Sequence, residues 1–195
     1  MTHRIGCLVM AAGNAVRFGR NKLTASLDGK ALIERTLSLI DRECFAKVTV
    51  VTQYAEIEDL AAKHGFACLY NDRPHEGISR TIRIGTQAMA DCDAILYLVA
   101  DQPLLQKASV QALVDTWRRN PTRIVGAASG DRRGNPNIFP ACFFAELSAL
   151  EGERGGKSVI HAHADAYLPV ELPERELFDC DTPQDLASIQ KNPTA

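Results

Sequence analysis

The sequence predicts an α/β fold: three layers, doubly wound, around a mostly parallel sheet. Three observations predict it. From Ile5 to Ala128, short apolar or β-branched runs alternate with segments of helical periodicity. The spacing between runs suits right-handed crossovers. The most apolar run, Ala94–Ala100 (A-I-L-Y-L-V-A), falls mid-chain and reads as the sheet centre.

Each element has its own signal. Ile5–Met10 is a short apolar run closed by Ala11-Ala12-Gly13, a buried first strand. Ala31–Arg42 places Leu32, Ile33, Thr36, Leu37 and Ile40 at helical spacing. Lys47–Thr52 (K-V-T-V-V-T) is a β-branched second strand. Ala55–His64 is a helix that Gly65 stops. Phe66–Tyr70 is a third strand, and Ser79–Met89 is a helix opening on Ser79 as its N-cap. Ser109–Arg119 is a helix and Arg123–Ala128 a strand. Beyond this the pattern is less regular. Asp131–Pro140 is polar, then apolar, with two prolines. Ala141–Leu150 reads as helix, and Gly155–His163 as the start of a short one. Tyr167–Val170 and Leu177–Cys180 read as short strands. Pro183–Gln190 is a last helix capped by Asp181 or Thr182.

The chain has 195 residues, which fit a single domain over 1–195. With 46% hydrophobic and 24% charged residues, it can bury a substantial core. A net charge of -2 offers no basic excess for nucleic acid and no acidic tail. No apolar run nears the roughly 20 residues a membrane span needs. The run from Ile5 to Ala12 lacks the length and flanking pattern of a signal peptide. The six cysteines form no C-x-x-C pair, which argues against a zinc site and for a reducing cytoplasm.

Ligands of open parallel sheets bind beyond the carboxyl ends of the strands. The first such end carries A-A-G-N-A-V-R-F-G-R-N-K-L, Ala11 to Leu23. Gly13 and Gly19 let the backbone approach a ligand, and Arg17 and Lys22 add two cations. Backbone N–H groups plus two cations suit a triphosphate. The spacing fits neither the Walker A loop nor G-x-G-x-x-G, so taken alone it is equally a charged surface loop. At the central strand end stands Asp101-Gln102-Pro103. A carboxylate there suits Mg²⁺, which pairs one or two carboxylates with substrate phosphates, although Asp101 with Pro103 two residues on also suits a turn. Ser79 and Arg80 stand at a helix start, where anions also bind. Two further signals are set aside. His161 and His163, at strand-like spacing, have no third metal ligand nearby. Asp91-Cys92-Asp93 falls at the wrong end of the central strand.

These motifs together resemble the nucleotidyltransferases of molybdenum cofactor biosynthesis. Ala11-Ala12-Gly13, Arg17, Gly19, Lys22 and Leu23 match that family's loop A-[AG]-G-x-x-x-R-[MF]-G-x-x-K-L. Gly77-Ile78-Ser79 resembles its G-[MI]-S stretch, and Asp101-Gln102-Pro103 its metal-binding strand end. Gly134-Asn135-Pro136 and Gly152 to Lys157 resemble segments beside its acceptor. Glu153 and Lys157 stand where aspartate and arginine are common, which loosens the acceptor's identity. Asp179-Cys180-Asp181-Thr182-Pro183 resembles its second metal stretch, with Asp181 favoured as ligand and Asp179 the alternative.

The resemblance spans Ile5 to Leu186. It implies a Rossmann-like, nucleotide-diphospho-sugar transferase-like fold. It also implies attack of an acceptor phosphate on the α-phosphorus of a nucleoside triphosphate, with loss of pyrophosphate. Arg17 and Lys22 would be catalytic. Ala11, Ala12, Gly13, Gly19, Gly77, Ser79, Arg80 and Asp101 would bind the nucleotide. Asp101 and Asp181 would hold Mg²⁺ or Mn²⁺, and Gly134, Asn135, Pro136, Gly155 and Lys157 would meet the acceptor. Ala12 and Gln102 resemble the cytidylyl branch, which implies CTP, molybdopterin and a molybdenum enzyme as client. The alternatives are a guanylyl or other transferase acting on a sugar or alcohol phosphate, and a non-catalytic carrier of the cofactor.

Overall fold

The computed structural model describes residues 3–13 and 21–191. Seven strands form one sheet: β1 (Ile5–Ala11), β4 (Lys47–Thr52), β5 (Ala67–Tyr70), β6 (Ala94–Val99), β7 (Ile124–Ser129), β8 (Arg132–Pro140) and β9 (Tyr167–Glu171). Their order is β5-β4-β1-β6-β8-β7-β9. The predicted central strand, β6, is the fourth of the seven. β8 alone runs antiparallel, against β6 on one side and β7 on the other. A ribbon of β2 (Ser26–Leu27) and β3 (Lys30–Ala31) turns through Asp28 and Gly29, both at positive φ, as a tight hairpin requires.

Helices cover both faces, which explains why the strands are apolar throughout rather than alternating. On one face α1 (Leu32–Ser38), α2 (Ala55–Lys63) and α4 (Lys107–Arg119) bring Ile33, Leu37, Ile57, Ala61, Leu113 and Trp117 onto Cys7, Val9, Val50, Leu96 and Leu98. On the other, α3 (Ile78–Ala88), α5 (Phe144–Ser148) and α6 (Gly156–Ala162) bring Ile82, Leu147, Val159 and Ile160 onto Leu8, Val51, Ile95, Tyr97 and Phe139. The alternation of strand side chains divides the two cores residue by residue. A small third cluster joins α7 (Pro183–Lys191), through Ile189, to Leu27, Leu32 and Cys180. Among the described residues no helix is long and apolar enough to cross a membrane.

Several expectations are corrected. The first helix ends at Ser38; Ile40 is buried beyond its end, and Asp41 opens a separate 3-10 turn by accepting from Glu43 N. Ser79 is not the cap of α3. Gly77 is, because the cap residue takes φ +85°, which glycine alone adopts freely. The segment 141–150 divides into a 3-10 turn and α5. Asp131–Pro140, left unassigned from sequence, is mostly the long strand β8. Leu177–Cys180 is not a strand: its backbone bonds go to the Asp101 loop and to Arg132 instead of a ladder.

The strand order positions the site. From β1 the chain builds β4 and β5 on one side, then crosses to build β6 on the other. The carboxyl ends of β1 and β6 therefore flank the point where the winding reverses, where such sheets open a crevice.

Candidate active site

Beyond β1 the chain continues through Ala12 and Gly13, outside any strand or helix. Three consecutive residues at the end of β4 secure it. Thr52 Oγ1 donates to Ala11 O at 2.9 Å, Gln53 Nε2 to Ala12 O at 2.8 Å, and Tyr54 Oη to Gly13 O at 3.1 Å. Arg17 and Gly19 lie outside the described residues. The chain resumes at Asn21, whose side chain caps a 3-10 turn over Lys22–Thr24 and donates to Glu56. Leu23 is buried beneath this turn, which carries Lys22 across the strand ends.

Lys22 Nζ donates to Asp101 Oδ2 and to Asp181 Oδ1, both at 2.8 Å. Burial alone pushes its pKa down. The charges and hydrogen bonds of Asp101 and then Asp181 outweigh that and hold it above the ordinary lysine value. Asp101 follows the end of β6, while Asp181 arrives from the far end of the chain. Its segment is strapped across the strand ends by three bonds: Cys180 N to Asp101 O (2.8 Å), Gln106 N to the buried Glu176 carboxylate (3.0 Å), and Arg132 to Leu177 O (3.0 Å). Thr182 then caps α7, and Asp185 returns to Thr182 N and Asp181 N. The cap and the carboxylate that meets Lys22 thus fall on neighbouring residues. Asp179 does not touch Lys22; it accepts from Gln102 Nε2 at 2.9 Å. Burial and then the Asp101 charge push its carboxyl above the usual range.

Two adjoining cavities open beside this cluster. The first, about 300 Å³, is walled by Ala12, Gly13, Gly77, Thr81 and Asp101. The second, about 280 Å³, shares Met10, Ile78, Val99 and Glu153 with the first and is otherwise walled by Tyr97, Asn135, Asn137, Phe139, Gly155 and Lys157. A third, about 290 Å³, lies beyond Lys157 among Arg133, Gly134 and His161. The cleft therefore runs continuously from the β1 loop to the 134–157 region. Gly77 lets the Gly152 segment pack close to this cleft: a Cβ there would collide with the Gly152 carbonyl.

Most of the sequence-derived site residues converge here. Ser79 and Arg80 are placed differently. Ser79 is fully buried, its hydroxyl on Glu76 O and its N–H on Gly152 O. Arg80 pairs with Asp72 at 2.9 Å. Neither lines any of these three cavities, and at the start of α3 Ser79 N donates to Gly152 O and Arg80 N to Gly77 O. Pro136 is buried behind Asn135 in a cis Asn135–Pro136 pair. His161 belongs to α6 and His163 follows its end, bonded to Glu146 at 2.9 Å. Asp91 pairs with Arg4 and Lys47 at the amino ends of the strands. Sequence reading missed Thr52, Gln53 and Tyr54, which look like an ordinary strand end, and Thr81, Tyr97 and Asn137, which look like core.

A family model described as the MobA-like NTP transferase domain matches residues 7–166. The chain belongs to this family and is a nucleotidyltransferase of MobA-like type. The non-catalytic carrier is set aside. A curated relative, a probable molybdenum cofactor guanylyltransferase from Nostoc sp., is 24% identical over 96% of this chain and 91% of that one. Among solved structures, a nucleotidyl transferase from Methanothermobacter superposes with a TM-score of 0.81, at 20% identity over 97% of each chain. The Mycobacterium tuberculosis protein Rv0371C, in complex with manganese, superposes with a TM-score of 0.76, at 20% identity over 96% of this chain and 98% of that one. These likenesses establish the shared fold.

Proposed function

We propose that this enzyme transfers CMP from CTP to the phosphate of molybdopterin and releases pyrophosphate. The observation that carries this reading is the ion pair of Lys22 with Asp101 and Asp181, beside a cleft with room for a donor and an acceptor.

The residues fit a divalent metal. Two carboxylates from distant parts of the chain already converge on a single cation, the Lys22 ammonium. Both offer the oxygen ligands that Mg²⁺ or Mn²⁺ takes, leaving further positions for water and phosphate. The manganese complex of Rv0371C supports the same reading. A bound metal would supply charge neutralisation at the phosphates.

An acceptor phosphate oxygen attacks the α-phosphorus of CTP, the bond to the bridging oxygen breaks, and that oxygen leaves with pyrophosphate. The nucleophile is already anionic, so no strong base is required. Lys22 takes developing charge on the phosphates, with Arg17 assigned beside it from sequence. The loop at Ala12 and Gly13 and the wall at Gly77 hold the nucleotide. The second cavity suits a flat, nitrogen-rich ring: Tyr97, Phe139 and Met10 offer apolar surface, and Asn135, Asn137 and Glu153 offer polar partners. Lys157 lines this cavity and the third. The six free cysteines suit the cytoplasm, and a molybdenum enzyme would receive the product.

CTP rests on Ala12 and Gln102. The Nostoc relative is named a guanylyltransferase, which makes GTP the second reading. The test supplies Mg²⁺, molybdopterin and each ribonucleoside triphosphate separately, and measures pyrophosphate. Release with CTP alone, lost in Asp101→Ala, is the expected result. Release with GTP instead overturns the base assignment and keeps the site; release with none overturns the acceptor.

A further inference from the structure

We infer that Thr52, Gln53 and Tyr54 are positioning residues that turn the β1 loop into a donor surface for phosphate. The inference rests on the reading that this loop holds the triphosphate.

Their side-chain donors reach the carbonyls of Ala11, Ala12 and Gly13 in strict succession. In a trans peptide the C=O and N–H point in opposite directions. Fixing the Ala11 and Ala12 carbonyls toward β4 therefore turns the Ala12 and Gly13 N–H groups away from it. Neither N–H has a backbone hydrogen-bond partner among the described residues, and both residues wall the first cavity together with Asp101. Successive backbone N–H groups that face one cavity can bind an anion together. Carbonyls left untied could rotate into that cavity and repel phosphate.

The tie is built in, not incidental. Thr52 is 1% exposed, at the last position of β4 directly beside Ala11 in the sheet register. Its hydroxyl also accepts from Tyr54 N at 3.1 Å, so its single proton is directed to Ala11 O. The last residue of one strand and the two that follow it thereby set the polarity of a loop on the neighbouring strand, without touching the ligand.

The test is calorimetric titration of the full chain with Mg²⁺-CTP, tripolyphosphate and cytidine. The variants are Thr52→Val, Thr52→Ser and Gln53→Leu. Thr52→Val and Gln53→Leu should each weaken CTP and tripolyphosphate by about fivefold, the value of one lost hydrogen bond. Cytidine binding should not change, and Thr52→Ser should bind as wild type. Unchanged tripolyphosphate binding in both weakened variants overturns the inference. So does an equal loss for cytidine, or failure of Thr52→Ser to rescue, since either marks a packing defect. If tripolyphosphate does not compete with CTP on the wild type, the loop assignment itself fails and takes the inference with it.

Discussion

Replacing Lys22 by methionine separates the ion pairing its ammonium makes from the catalytic role proposed for it. Its Nζ lies 2.8 Å from an oxygen of Asp101 and 2.8 Å from one of Asp181, so those oxygens are at most twice that distance apart. Without the ammonium, two like charges at that separation repel by about 1 kcal/mol in a water-like dielectric and about 3 kcal/mol in a protein-like one. Asp181 is 51% exposed, so the lower figure applies. The metal-free variant should therefore melt about 2–4 °C below wild type. Mg²⁺ should then raise its melting temperature more than it raises that of wild type, because a vacated carboxylate pair has no resident cation to displace. Activity should move the opposite way. On the proposed function, in which Lys22 takes charge on the transferring phosphate, its loss costs about 100- to 1000-fold in kcat. Melting curves with and without Mg²⁺, together with pyrophosphate release, measure both. An Mg²⁺ shift no larger than that of wild type would refute the shared cation position. Wild-type turnover would refute the catalytic role.

Three further outcomes are expected. Gly77→Ala should lower stability by about 1–3 kcal/mol, because the residue takes φ +85° and its new Cβ would meet the Gly152 carbonyl; thermal melting reads this. Asp179→Asn should melt higher than wild type at pH 7. Its folded pKa is raised, so the carboxyl favours folding below the ordinary aspartate pKa and loses that contribution as pH climbs through the folded value. The gap between the two proteins should accordingly close as pH falls below about 4. Lys157→Ala should raise KM for the phosphorylated acceptor and leave KM for the triphosphate unchanged, since Lys157 lines the second and third cavities and not the first. Steady-state kinetics in both substrates would check it, and a rise confined to the triphosphate would reverse the order of the two cavities.

What was legible in the sequence is what local chemistry encodes. β4 was read at its observed bounds because K-V-T-V-V-T has one sensible conformation. β6 was placed at the sheet centre because its run is apolar on both faces. The loop, Lys22, Asp101 and Asp181 each stood in a short motif with its own residue pattern. β8 was hidden because Gly134, Asn135 and Pro136 imitate a turn; they fall at the irregularity in the β7 pairing, and the strand is set by Arg132 and Arg133 against β7 and by residues 137–140 against β6. Ser79 was misplaced for a related reason. Serine is the commoner cap in general, but here the close approach of the Gly152 loop demanded glycine two residues earlier.

The sequence by itself determined the alternation of elements, the glycine-bearing motif after β1 and the carboxylates that meet a cation. Only the tertiary structure decided that Lys22 stands between Asp101 and Asp181, partners 79 and 159 residues away. It alone turned Ser79 and Arg80 from the cleft, and it alone tied the loop carbonyls to β4. The physical reason is range. Periodicity and turn chemistry act over a few residues. The convergence of a loop, a strand end and a C-terminal strap depends on the order in which strands pair, and on three long-range hydrogen bonds that no short window contains.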